Sequence, residues 1–132
     1  MKKLLFFVFF IIILLNTNTM AAENKLILKL DHGNVEIELF PDVAPNHVNR
    51  ILTLVKNKEY DGVVFHRVIE GFMAQTGDVE FGNSNKENYN IERAGTGSSN
   101  LPDLKSEFSN IPHERGTLSM ARSSDPNSAN SQ

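Results

Sequence analysis

Apolar side chains crowd the first 76 residues of this chain and thin out sharply beyond them. Residues 4–15 (LLFFVFFIIILL) are apolar without a break, residues 23–76 carry 24 apolar side chains in 54, and residues 77–132 carry 13 in 56. Ordinary domains are close to half apolar when glycine is counted, so the last stretch is too polar to build a core of its own. The pattern predicts one small domain with its core in residues 23–76. Residues 77–132 would then be long loops draped over it, or the start of an unfinished unit. No internal repeat is visible.

The run at 4–15 follows Lys2 and Lys3 and is followed by polar Asn16 to Thr19, then Met20, Ala21 and Ala22. A basic start, a short apolar stretch and small closing residues describe a secretory signal peptide. As a helix the run would span about 18 Å, well short of a roughly 30 Å hydrocarbon core, so it argues against a transmembrane anchor. The expectation is a signal peptide over residues 1–22, cleaved after Ala22, and an exported domain over 23–132 with no stable membrane insertion after cleavage. The compartment expected is a bacterial periplasm, with a eukaryotic secretory lumen as the other exported location.

Composition removes whole classes of chemistry. With no cysteine there is no disulfide scaffold, thiolate metal site or thiol nucleophile. A net charge of −3 without a basic run argues against a nucleic-acid partner. His32, His47, His66 and His113 have no metal-ligand spacing, and neither a phosphate-binding loop nor a serine-nucleophile motif occurs. Gly95-Thr-Gly97 has two glycines of a dinucleotide fingerprint but lacks the third.

Local patterning is clearest before residue 77. Leu26, Leu28 and Leu30 alternate with other positions, as do Val35, Ile37 and Leu39, on either side of Asp31-His-Gly-Asn34. Period-two alternation about such a turn predicts a β-hairpin with one face toward a core. Val48, Ile51, Leu52 and Val55 have helical spacing, and Pro45 suits a first helical turn. Val63 to Ile69, Phe72 to Thr76 and Thr117 to Ala121 read as further strands. Five strands and one helix suggest a mainly β, mostly antiparallel sheet or barrel.

Arg67 shares a strand face with Phe65 and Ile69, so it is either a rim arginine with its stem on apolar surface or a cation held there for a purpose. His66, on the opposite face, reads as a hydrogen-bonded core histidine. Phe72, Met73 and Gln75 follow within a hairpin turn and would form with Arg67 a pocket for an uncharged, partly apolar ligand. Ordinary packing with a surface glutamine explains them as well. The residues by themselves reach an exported β-rich domain with at most a small apolar pocket.

Phe65-His-Arg-Val-Ile-Glu-Gly-Phe-Met-Ala-Gln-Thr-Gly-Asp78 resembles the signature of cyclophilin-type peptidyl-prolyl cis-trans isomerases. Gly33 to Leu39 with Ala44-Pro45 is similar to the family's opening hairpin and first helix. Glu107-Phe108 with Arg115 to Arg122 resembles a later core strand, and Pro126 to Gln132 the loop after it. The resemblance covers residues 25–132. It implies an antiparallel eight-stranded β-barrel with capping helices, and isomerisation of X–Pro bonds in exported proteins without a cofactor or metal.

By resemblance Arg67 is the catalytic arginine. Phe72 and Met73 wall the proline pocket, Gln75 binds substrate backbone, and Gly95, Ala121, Arg122 and Gln132 edge the groove. Many relatives have asparagine at the position of Arg122. The partners implied are proline-containing polypeptides and cyclosporin-like cyclic peptides. Relatives continue past the position of Gln132 into an aromatic strand and a second helix, so the expectation is a barrel incomplete at the C-terminus. The alternative function is a proline-peptide binding or chaperone module with negligible turnover, because that part of the site is missing.

Overall fold

The computed structural model describes residues 24–132, and the signal peptide expected over residues 1–22 lies outside the described residues. The chain runs β1 (Lys25–Leu30), β2 (Gly33–Glu38), α1 (Pro45–Lys56), β3 (Arg67–Ile69) and β4 (Met73–Gln75). No described helix is long and apolar enough to cross a membrane.

The hairpin forms where the alternation predicts it. β1 and β2 pair antiparallel from Lys25↔Glu38 to Leu30↔Gly33, so Leu26 faces Ile37 and Leu28 faces Val35 across the ribbon. Leu39, just past β2, is buried, and its N–H donates to the Asn24 carbonyl at 2.7 Å. Toward the turn the same face opens to solvent at Leu30 and Val35.

α1 opens on Pro45 with no side-chain cap at Ala44. Its orphan amides are met from a distance: the Glu107 carboxylate accepts from the N–H groups of Asn46 (3.1 Å) and His47 (3.0 Å). Burial pushes the Glu107 carboxyl up, but the His47 and Asn46 donors outweigh it and hold the group below its ordinary value. The buried positions of the helix are Arg50 and Leu54. Of the four expected core positions, Val48, Ile51 and Leu52 are half-buried and Val55 is exposed. The helix is turned from its predicted face because Arg50 reaches inward, donating to the Asn130 carbonyl (3.2 Å) and the Pro102 carbonyl.

The second ribbon is shorter than expected. β3 pairs β4 antiparallel through Arg67↔Gln75, Val68↔Ala74 and Ile69↔Met73. Residues 63–65 leave the ladder, with Val63 bridging Asn83 and the Val64 N–H donating to the Gly82 carbonyl at 2.9 Å, while the His66 N–H still donates to the Gln75 carbonyl at 3.1 Å.

The barrel expected to be incomplete is met as far as its mainly β class: among the described residues the strands form two separate two-stranded sheets and no closed barrel. One expectation needs correction. Thr117 to Ala121 is not a strand: Thr117 closes a turn onto the Glu114 carbonyl, and Ala121 alone finds backbone, donating to the Gln132 carbonyl at 2.9 Å. A β-rich segment without a neighbour to complete its ladder stays irregular. The class is therefore mainly β with one helix.

The core also sits elsewhere than predicted. Residues 77–132 are loops, as expected, yet they bury Asp78, Val79, Asn83, Ala129, Asn130 and Ser131, while the first half buries Leu39, Arg50 and Leu54. Hydrogen bonds make this feasible for the buried Asp78, Asn83 and Asn130, since buried polar groups are tolerated where they are paired; the Ser131 hydroxyl is buried without a partner. The Asn130 amide donates to the Leu101 carbonyl (2.9 Å) and Asp103 (2.8 Å), and its carbonyl accepts from Ser99. The Tyr60 hydroxyl donates to the Ser131 carbonyl at 2.8 Å.

Candidate active site

β3 and β4 set Arg67 and Gln75 side by side, because paired residues of an antiparallel ribbon share a face. The Arg67 guanidinium donates to Gln75 Oε1 over a long 3.4 Å. A guanidinium carries five N–H donors, and among the described residues this is the one such contact of the Arg67 side chain. The side chain borders an open cleft of about 430 Å³ lined by His66, Arg67, Gln75, Ala94, Gly95 and Thr96.

A directed chain of hydrogen bonds runs across the floor. Gln132 Nε2 donates to the carbonyls of Gly95 (3.2 Å) and Gly97 (2.6 Å). Gln132 Oε1 accepts from Gln75 Nε2 at 2.9 Å, and Gln75 Oε1 accepts from Arg67. Gln132 is held in turn by its backbone, whose carbonyl accepts from the Ala121 N–H.

The loop carrying Gly95 and Gly97 is pinned from below by Asp78, which is 0% exposed. One carboxylate oxygen accepts from the N–H groups of Gly95 (2.7 Å) and Gly97 (2.8 Å), the other from Glu80 (3.0 Å) and Phe81 (2.9 Å). Burial pushes the Asp78 carboxyl up, and the Phe81, Gly97, Gly95 and Glu80 amides outweigh it, leaving the group below its ordinary value. Glycine is required here on two counts. Gly95 has φ +98°, and a Cβ on it would lie 2.6 Å from the His66 ring, while a Cβ on Gly97 would lie 2.5 Å from Asp78 Oδ1.

The structure thus joins Arg67, Gln75, Gly95 and Gln132, with Ala121 attached through its backbone. Met73 lies one step along β4 on the face of Gln75, but neither it nor Phe72 lines the cleft. Phe72 sits in the β3–β4 turn, 76% exposed. The Arg122 guanidinium lies 5.7 Å from the Phe108 ring centroid and donates to the Ser123 carbonyl, and it does not line the cleft. His66 is not the hydrogen-bonded histidine expected: both ring nitrogens are buried without a partner, and the ring packs on Gly95. Asp78 was missed as a site residue; the signal that could have exposed it is the Gly95-Thr-Gly97 pair, which marks a backbone something must approach closely.

The comparisons with known proteins agree with the signature. The model of the family described as "Cyclophilin type peptidyl-prolyl cis-trans isomerase/CLD" matches residues 25–132, and the chain belongs to that family. A Brucella suis protein named "Probable peptidyl-prolyl cis-trans isomerase" is 61% identical over 110 residues, covering 83% of this chain and 56% of that protein. A peptidyl-prolyl cis-trans isomerase of Acinetobacter baylyi is 40% identical over 114 residues, covering 85% of this chain and 54% of its own length. The crystal structure of a cyclophilin from Hirschia baltica superposes with a TM-score of 0.57 at 28% identity, over 82% of this chain and 55% of that one. The chain spans about half the length of the curated relatives it matches.

Proposed function

We propose that this protein catalyses cis-trans isomerisation of X–Pro peptide bonds, with Arg67 as its catalytic residue. Resonance sets a barrier of about 18–20 kcal/mol to rotation of the imide bond, and uncatalysed exchange takes tens to hundreds of seconds. Reaching milliseconds needs about 10⁵-fold, or about 7 kcal/mol off the barrier. No bond is made or broken and no proton moves. A guanidinium that donates to the substrate's prolyl nitrogen or neighbouring carbonyl binds the twisted amide better than the planar one, which is transition-state stabilisation. Arginine suits the task because its planar fork keeps its direction and its charge.

The observation that carries this reading is the Arg67 guanidinium tethered by one long bond to Gln75 at the cleft edge, its other donors unspent. In this reading Gln75 and Gln132 present amide groups to substrate backbone, Gly95 edges the groove, and the backbone at Ala121 and Arg122 pairs with the bound peptide. By the resemblance Phe72 and Met73 grip the proline ring, although neither lines the cleft beside Arg67. With residues 1–22 acting as a signal peptide, the clients are exported proteins, in a periplasm or another secretory compartment. A cyclosporin-like cyclic peptide would compete for the same groove.

The test is proline exchange in a short Ala-Pro peptide, followed by NMR, and proline-limited refolding of a client protein. Arg67→Ala is expected to lose at least about a hundredfold in activity, with stability within about 0.5 kcal/mol of wild type because the side chain is exposed. Near-normal activity in that variant overturns the role of Arg67. The exposure of Phe72, outside the cleft lining, favours a second reading: a module that binds proline peptides with negligible turnover. Peptide binding without accelerated exchange would establish it.

A further inference from the structure

Each hydrogen bond across the cleft floor has one permitted direction. Arg67 can only donate, and the Gly95 and Gly97 carbonyls can only accept. Between them the two glutamine amides are forced head to tail. Gln132 turns its NH₂ to the two carbonyls, so its oxygen faces Gln75, and Gln75 then turns its own oxygen to Arg67. Whatever fixes the two carbonyls fixes where the guanidinium is aimed. The glycine amides one Cα away from these carbonyls, the N–H groups of Gly95 and Gly97, are both held on one oxygen of Asp78, which anchors the loop from either side of Thr96. The other oxygen holds Glu80 and Phe81, so the carboxylate has no slack.

We propose that Asp78, buried beneath the cleft, is a positioning residue for Arg67, acting through the Gly95–Gly97 carbonyls and the Gln132 and Gln75 side chains. This rests on the isomerase reading only for its consequence in activity; the relay itself is a property of the fold. An aspartate with no view of the substrate would then set the rate at which bound substrate turns over, and leave substrate capture nearly unchanged.

Side-chain NMR on the full chain reads the relay without reference to activity. In wild type, couplings across hydrogen bonds are expected between the Asp78 carboxyl carbon and the amide nitrogens of Gly95 and Gly97; their absence overturns the proposal. In Asp78→Asn, the Arg67 Nε–H and the Gln75 and Gln132 amide resonances should shift and broaden while the β1–β2 amides stay in place. In an Ala-Pro exchange assay kcat should fall at least about tenfold, because the asparagine NH₂ cannot accept from the two amides that one carboxylate oxygen holds, with KM within about twofold. If the Gly95 and Gly97 amides move and the Arg67, Gln75 and Gln132 side chains do not, Asp78 is merely structural and the proposal fails. Should Asp78→Asn lose the hairpin signals, Gly97→Ala takes its place, displacing the same carboxylate with a Cβ expected 2.5 Å from Oδ1. A wild-type chain that shows no exchange would defeat the isomerase reading, while the resonances would still decide the relay.

Discussion

The β1–β2 hairpin and the Asp78 region invert the usual relation between composition and burial. The hairpin carries most of its apolar residues in regular alternation, yet Ile27, Leu30 and Val35 are exposed, Val35 at 46%. The stretch from Gly77 to Asn83, with the loop at Gly95–Gly97 and residues 129–131, is polar and glycine-rich, and it is the most buried part of the described chain. Apolar pattern tells a strand which face to bury; it does not supply the surface that covers it. A buried carboxylate with four amide donors carries its own partners, and so makes its own interior.

That difference predicts very unequal responses to mutation. Asp78→Ala leaves four amides without an acceptor, two of them on glycines, of which Gly97 packs against the missing group. An unsatisfied buried donor costs about 1–3 kcal/mol; the Gly97 bond is buried and the other three are part-buried, so the loss is a large share of the about 5–15 kcal/mol of a small domain. The expected outcome is collapse of protection at Gly95, Gly97, Glu80 and Phe81 in amide hydrogen exchange. Acid should do the same more gently. The folded Asp78 carboxyl lies below its unfolded value of 3.8, so it contributes stability above about pH 4 that fades as pH falls through the folded value. Glu107 shifts in the same direction. Reading the Gly95 and Gly97 amides separates the two, because Asp78→Asn removes the acid transition there and leaves the one at α1.

Hairpin and helix were legible because their signals are local. The alternation about Asp31–Asn34 and the spacing from Val48 to Val55 locate both elements within a residue or two. The strand predicted at Thr117 to Ala121 failed because its propensity had no ladder to join. Leu54 was missed because Arg50, a residue that spacing sends to solvent, turns the helix inward to reach carbonyls 52 and 80 positions away. In the site, spacing left Arg67 divided between a rim residue and a working cation, and the family signature decided the expectation. Asp78 had no periodicity and no charged partner. Its meaning lies in amides up to 19 residues ahead, which only the folded chain brings within reach.

A middle-sized effect belongs to the start of α1, outside both regions. Glu107 holds the start of α1 where a side-chain N-cap would ordinarily serve, and its carboxylate also accepts from the Asn46 side chain. Glu107→Ala should cost about 1 kcal/mol, as loss of a cap does. It should raise exchange at the Asn46 and His47 amides while leaving those of Gly95 and Gly97 protected. Equal loosening at both would mean that helix and loops open as one unit, and the contrast between hairpin and loop core would need redrawing.

The smallest effect is the sharpest test, because it makes one substitution in two places. Val35→Thr replaces a methyl by a hydroxyl on an exposed strand position where threonine fits the pleat well, and stability should stay within about 0.5 kcal/mol. Val79→Thr makes the same exchange at 3% exposure, between Asp78 and the donors it holds, where a hydroxyl lacking a partner costs about 1–3 kcal/mol. Denaturant midpoints measure both. If Val35→Thr proves as costly as Val79→Thr, the hairpin face is covered in solution, and the apolar half of the chain has found a surface of its own.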